Sequence, residues 1–230
     1  MLIAVFVFFE STLKHTWGTF DLLQKLKRPK TIPTILERED VLRIINHFHA
    51  PQLYTWYLVV YSCGLRMSEA LSLTINDIDA TRNRLIVRGG KGRKDREIPL
   101  PNATLNAIRK YWKSHRNSKY LFPARGRGNN KAQISNKPMA SSSVQKPLRI
   151  VLKELGITKK ITTHTFRHSY ATHLLDAGVS IRHVQLYLGH ANVETTCIYL
   201  HLTKDASGKA LILINNLMGG FKDGEDKPNI

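Results

Sequence analysis

The stretch HTFRHSYATHLL, residues 164–175, sets His164, Arg167 and His168 within five positions and then runs on into apolar residues. On a helix His164 and Arg167, three apart, share one face, and Thr162 and Thr163 stand where a cap is expected. A cation and an imidazole at a helix N-terminus make an anion site, because the free backbone N–H groups of the first turn add to the side chains. Arginine presents a planar fork that matches phosphate oxygens. The plainer alternative is an arginine paired with a carboxylate beside a capping or core histidine. His164 and His168 also stand at the i, i+4 spacing of metal ligands, but the glutamate of H-E-x-x-H is absent and a third ligand would still be needed. No metal or other cofactor is expected.

Several elements must position these residues. Acidic residues in the first turn and apolar spacing predict a helix in LEREDVLRIINHF, a second in QLYTWYLVVYSCG closed by Gly64, and a third in MSEALSL. The period then shortens. RLIVR (84–88) and DREIPL (95–100) read as strands of a β-hairpin around the glycine-rich GGKGRK, whose tip carries Lys91. Helices follow in ATLNAIRKYWKSH and in SSSVQKPLRIVLKELG, the latter with a serine cap and ended by Gly156, with a polar basic loop between them. The last third is helical: HTFRHSYATHLLDAG, SIRHVQLYLGH and NVETTCIYLHL. The segment ALILINNLM and a tail expected to be disordered complete the chain.

Charge narrows the partner. Over 230 residues, 35 Lys and Arg stand against 17 Asp and Glu, a formal charge of +18 with a pI of about 10.1. Such a balance favours a polyanion, and nucleic acid is preferred to a membrane because the basic residues are scattered and not gathered on one amphipathic helix. Cys63 and Cys197 form no C-x-x-C pair, which points to a reducing, cytoplasmic location without disulfides. The opening MLIAVFVFF lacks a basic lead and a cleavage site, and is too short for the ~20 residues of a membrane span.

Taken together, HTFRHSYATHLLDAGVSIRHVQLYLGH and TTCIYLHL resemble the C-terminal signature of the tyrosine recombinases, the phage-integrase family, and integron-type integrases in particular. The resemblance rests on the H-x-x-R pair, the L-G-H turn at 188–190 and a tyrosine nine residues beyond that histidine. Upstream, GLRMSEALSL supplies Arg66 and the hairpin supplies Lys91. It implies a mostly α (α+β) catalytic domain with a small antiparallel sheet, and a site made of Arg66, Lys91, His164, Arg167, His190 and Tyr199.

In that scheme Tyr199 attacks a DNA phosphodiester, leaving a 3′-phosphotyrosyl link and a free 5′-hydroxyl. A phenol titrates near ~10, so phenolate at neutral pH costs about 3 pK units, roughly 4 kcal/mol, and cations with His164 as general base would reduce it. Arg66 and Arg167 clamp the non-bridging oxygens, His190 hydrogen-bonds the phosphate, and Lys91 protonates the departing oxygen. Glu69 is expected to orient an arginine; His168, His173 and His201 are read as structural or supporting, and Tyr170 and Tyr187 as core.

The resemblance further implies double-stranded DNA recombination sites as partner, a homotetramer on DNA and accessory DNA-bending proteins, with ALILINNLM suited to docking on a neighbouring protomer. Residues 1–33 would be the last helix of an N-terminal core-binding domain and its basic linker, 34–203 the catalytic domain, and 204–230 a C-terminal segment and tail. So short an N-terminal part predicts an N-terminally truncated member. The rival readings are a catalytically impaired DNA-binding remnant, a type IB topoisomerase-like activity without site choice, and a metal-dependent nuclease.

Overall fold

The computed structural model describes residues 33–89, 95–125 and 132–200. The chain divides into two units, 1–32 and 33–230, and all described residues belong to the second. The expected core-binding helix, linker and C-terminal segment, with His201, lie outside the described residues, as does Lys91.

The helices begin where the sequence offers apolar spacing. Helix α1 (Arg38–Asn46) has Glu39 and Asp40 in its first turn and buries Val41, Ile44 and Ile45. Helix α2 (Pro51–Cys63) starts on a proline, whose missing N–H costs nothing at that position. It is apolar nearly all round, and accordingly it is the central helix, packed between α1, α4 (Asn102–His115) and α6 (Thr163–Asp176). Trp56 and Tyr57 are fully buried, and Tyr57 stacks on Phe48 with ring centroids 4.6 Å apart while touching Phe166 of α6 at 5.2 Å. The short α3 (Met67–Ser72) follows at once, with Arg66 at its N-cap.

The sheet has three antiparallel strands in the order β1 (Ile78–Asp79), β2 (Arg84–Val87), β3 (Arg96–Pro99). Leu85 pairs with both Ile78 and Ile98, so apolar side chains line one face. The hairpin was expected; β1 was not, since two residues carry no readable alternation.

Helix α5 (Ser142–Glu154) holds Pro147 in its interior, and Ser141 at its N-cap makes no side-chain capping bond, so the expected serine cap is absent. Helix α6 starts with a reciprocal cap between Thr162 and Thr165. Ser180 caps α7 (Ile181–Leu188), and Gly189 closes it at φ 63°. Of the helix expected across NVETTCIYLHL, the described residues show a single turn, α8 (Glu194–Cys197), beyond which Tyr199 lies in the interior. Among the described residues no helix is long and apolar enough to cross a membrane.

Candidate active site

The site is built around one carboxylate. Glu69 lies one turn into α3, close enough to accept from the Arg66 backbone N–H at 2.8 Å and from its guanidinium at 2.7 Å. Arg96, from β3, meets the same carboxylate with two parallel bonds of 3.0 and 2.7 Å. Arg167, from α6, brings its Nη1 to 3.8 Å of Glu69 Oε2. Burial raises the carboxyl pKa, but the bonds and charges of Arg96 and then Arg66 outweigh it and leave the group lowered to about 2. Glu69 is therefore ionised at neutral pH.

The C-terminus of α7 gathers the same three arginines a second time. The last carbonyls of a helix have no partner within it and carry partial negative charge. Here Tyr187 O accepts from Arg96 Nε at 2.8 Å, Leu188 O from Arg167 Nη2 at 2.6 Å, and Gly189 O from Arg66 Nη2 at 3.4 Å. Arg167 also donates to Gly64 O at 2.7 Å. Gly64 must be glycine on two counts: its φ is 59°, and a Cβ there would lie 2.5 Å from the Tyr170 ring.

Three guanidinium groups and one carboxylate leave an excess of 3 − 1 = +2 in a region where Arg167 and Arg96 are almost wholly buried. Burial first, then Arg66, holds the Arg167 pKa down to about 10. Each guanidinium carries five donors, and Arg66 and Arg167 each spend two on the acceptors just named, so donors remain for a bound oxyanion.

Two imidazoles and a phenol stand against this cluster. His190 follows the α7 cap; its Nδ1 pairs with Thr196 Oγ1 at 2.9 Å, and its ring lies 6.3 Å from that of Tyr199 at 19°. Tyr199 is buried against Tyr170, Ala171, Val184 and Leu188. Burial raises the phenol pKa, while Arg167 and Arg66 act to lower it. His168 Nδ1 lies 2.8 Å from the Tyr199 hydroxyl. Burial holds both imidazoles well below their usual range, to about 4, with His164 and Arg167 adding to the effect on His168, and Arg167 and Arg66 on His190. Both are neutral at pH 7.

Of the six expected residues, the structure brings Arg66, Arg167, His190 and Tyr199 together. His164 is in the first turn of α6, exposed, with its ring 6.5 Å from that of His168. Lys91 belongs to the undescribed segment between Gly89 and Asp95, whose ends are tied by Gly89 N donating to Asp95 Oδ1 at 2.9 Å. Sequence reasoning missed Arg96, although it stands in phase with buried Ile98 on β3, an unusual position for a solvated arginine. His168, read as structural or supporting, is the imidazole that touches the phenol. His173 is held by Tyr61 Oη at 2.8 Å, and Tyr170 is core, both as expected.

The chain is similar to known proteins in sequence and in fold. Residues 34–206 match the phage integrase family. The chain is 40% identical over 205 residues to the tyrosine recombinase XerA of Pyrococcus furiosus, covering 86% of this chain and 68% of that protein. The fold is similar to the crystal structure of XerA recombinase, with a TM-score of 0.65 at 29% identity over 94% of this chain and 74% of that one. It is also similar in fold to XerH site-specific recombinase bound to a palindromic difH substrate, with a TM-score of 0.63 at 22% identity over 80% of this chain and 54% of that one. A match of that breadth in sequence, on a fold held in common, assigns the chain to the phage integrase family, the DNA strand-transferring tyrosine recombinases.

Proposed function

We propose that this chain cleaves and rejoins duplex DNA at specific sites through a 3′-phosphotyrosyl link on Tyr199. The observation that carries the reading is the uncompensated charge of +2 around Glu69, with a phenol inside its field. Desolvated cations need an anion, and a phosphodiester supplies one together with the electrophilic phosphorus that a phenol attacks. Arg66 and Arg167 hold the two non-bridging oxygens. His190, fixed through Nδ1 by Thr196, has its other nitrogen left for a phosphate oxygen, and His164 adds a second imidazole at the exposed start of α6. Lys91, on the hairpin, protonates the leaving 5′-oxygen. Because the phosphotyrosine conserves the bond, rejoining needs no ATP, and with two arginines on the phosphate no divalent metal is required.

The finer organisation follows the same reading: a homotetramer on paired DNA sites, with accessory DNA-bending proteins as further partners. Beside Thr162 lies an open cleft of about 520 Å³ lined by Arg149, Lys153, Lys159 and Lys160 among others, with no acidic residue. This cleft extends the DNA-binding surface along the backbone from the scissile phosphate.

The test uses a pool of nicked duplexes of randomised sequence, on which cleavage releases a short fragment and traps the protein–DNA adduct on a denaturing gel. The wild-type chain is expected to form the adduct, and Tyr199→Phe none. Arg167→Ala should slow adduct formation by about 10²–10³, the usual loss for one oxyanion donor. An adduct of undiminished yield with Tyr199→Phe removes the nucleophile assignment.

A further inference from the structure

We propose that the proton acceptor for the Tyr199 nucleophile is Nδ1 of His168. The proposal rests on Tyr199 being the nucleophile.

The geometry points to His168 rather than to His164. The phenol oxygen is the reacting atom, and a general base must lie within hydrogen-bond reach of the proton it removes. His168 Nδ1 is 2.8 Å from that oxygen, with the two rings 5.7 Å apart at 46°. His164 is exposed at the first turn, and no contact joins it to Tyr199 among the described residues. His168 follows Arg167 directly on α6, and its backbone carbonyl accepts from Thr172 Oγ1 at 3.2 Å.

The protonation states order the contact. The role requires the neutral tautomer with the ring proton on Nε2, in which Tyr199 Oη donates to Nδ1. The lone pairs of the phenol oxygen are left for the phosphorus. Before DNA binds, transfer across this bond is unfavourable, because burial raises the phenol pKa and burial, His164 and Arg167 lower that of the imidazole. A phosphodiester anion seated on Arg66 and Arg167 opposes the repulsion that Arg167 exerts on an imidazolium at His168 and, on the other side, the lowering that both arginines exert on the Tyr199 phenol, so the proton moves as the Oη–P bond forms.

The step balances. The Tyr199 Oη–P bond forms as the P–O5′ bond breaks; the phenol proton passes to His168 Nδ1, giving imidazolium, and the 5′-oxygen takes a proton from Lys91. In rejoining, the 5′-hydroxyl attacks, Lys91 recovers its proton, and His168 returns its own to Tyr199.

Asparagine at 168 separates proton transfer from mere positioning, since its Oδ1 falls near Nδ1 and accepts the same hydrogen bond but takes no proton. On the nicked-duplex pool, His168→Asn and His168→Ala are both expected to slow adduct formation by about 10²-fold or more, the usual worth of a general base, with DNA affinity unchanged. His164→Asn should lose less. Independently of activity, the Nδ1 nitrogen-15 resonance of His168 in the full chain should move on Tyr199→Phe. An unmoved resonance overturns the contact, and His168→Asn within threefold of wild type overturns the proton-accepting role. An adduct persisting in Tyr199→Phe would instead defeat the nucleophile reading while leaving the resonance result standing.

Discussion

Glu69 joins three arginines through two oxygens, and its titration should be visible in the stability of the whole fold. Its carboxyl is lowered from about 4.5 to about 2, so the unfolded chain binds the proton more readily and the ion pairs stabilise fully only above about 4.5. That contribution drains away as pH falls through the interval down to about 2. His168 and His190 act earlier. Each is lowered from 6.5 to about 4, so each favours the folded state above about 6.5 and loses that effect on acidification toward about 4. The denaturation midpoint followed in urea from pH 7 to pH 2 should thus fall in two stages. Glu69→Gln is expected to lower the midpoint at pH 7 and to flatten the lower stage alone. A lower stage of wild-type steepness in that variant would show that the cluster does not depend on the carboxylate charge.

At the scale of elements, Arg96 connects three of them: it leaves β3, meets Glu69 on α3 and donates to the end of α7. Breaking a buried ion pair from one side typically costs about 3–5 kcal/mol, and since Glu69 keeps Arg66, the lower figure is expected for Arg96→Ala. Arg96→Lys should recover little, because an ammonium cannot reproduce the planar double bond to a carboxylate. A urea midpoint for Arg96→Ala matching that of wild type would refute the connection. Arg96 also marks the limit of what the sequence reveals. Helices α1, α2, α4, α6 and α7 were legible because apolar spacing and glycine stops are local, and His164 and Arg167 shared a face by spacing alone. The convergence of Glu69, Arg96 and Tyr187 was not, because the partners lie 27 and 91 positions from Arg96, and no local period encodes such pairs. Tyr199 was nominated through the family resemblance, by its distance from His190, but the single turn of α8 that precedes it was overestimated as a full helix, since polar Glu194, Thr195 and Thr196 leave it little apolar face to bury.

For the whole molecule, the charge of +18 matters less than where it sits relative to the buried site. Arg66, Arg96 and Arg167 make the bonds that hold the site together. Lys159 and Lys160, exposed on the cleft beside Thr162, have no such duty and suit backbone phosphates farther along the duplex. The two groups should separate in a salt titration. Each phosphate contact adds about 0.9 to the slope of log affinity against log salt, through release of a condensed counterion. Replacing both lysines by glutamate is therefore expected to reduce the slope by about 2 and weaken binding alike on duplexes of different sequence, as read by fluorescence anisotropy. Adduct formation at saturating DNA should be unchanged, because no lysine of this pair touches the reacting atoms. An unaltered salt slope would mean that the duplex does not run along the cleft.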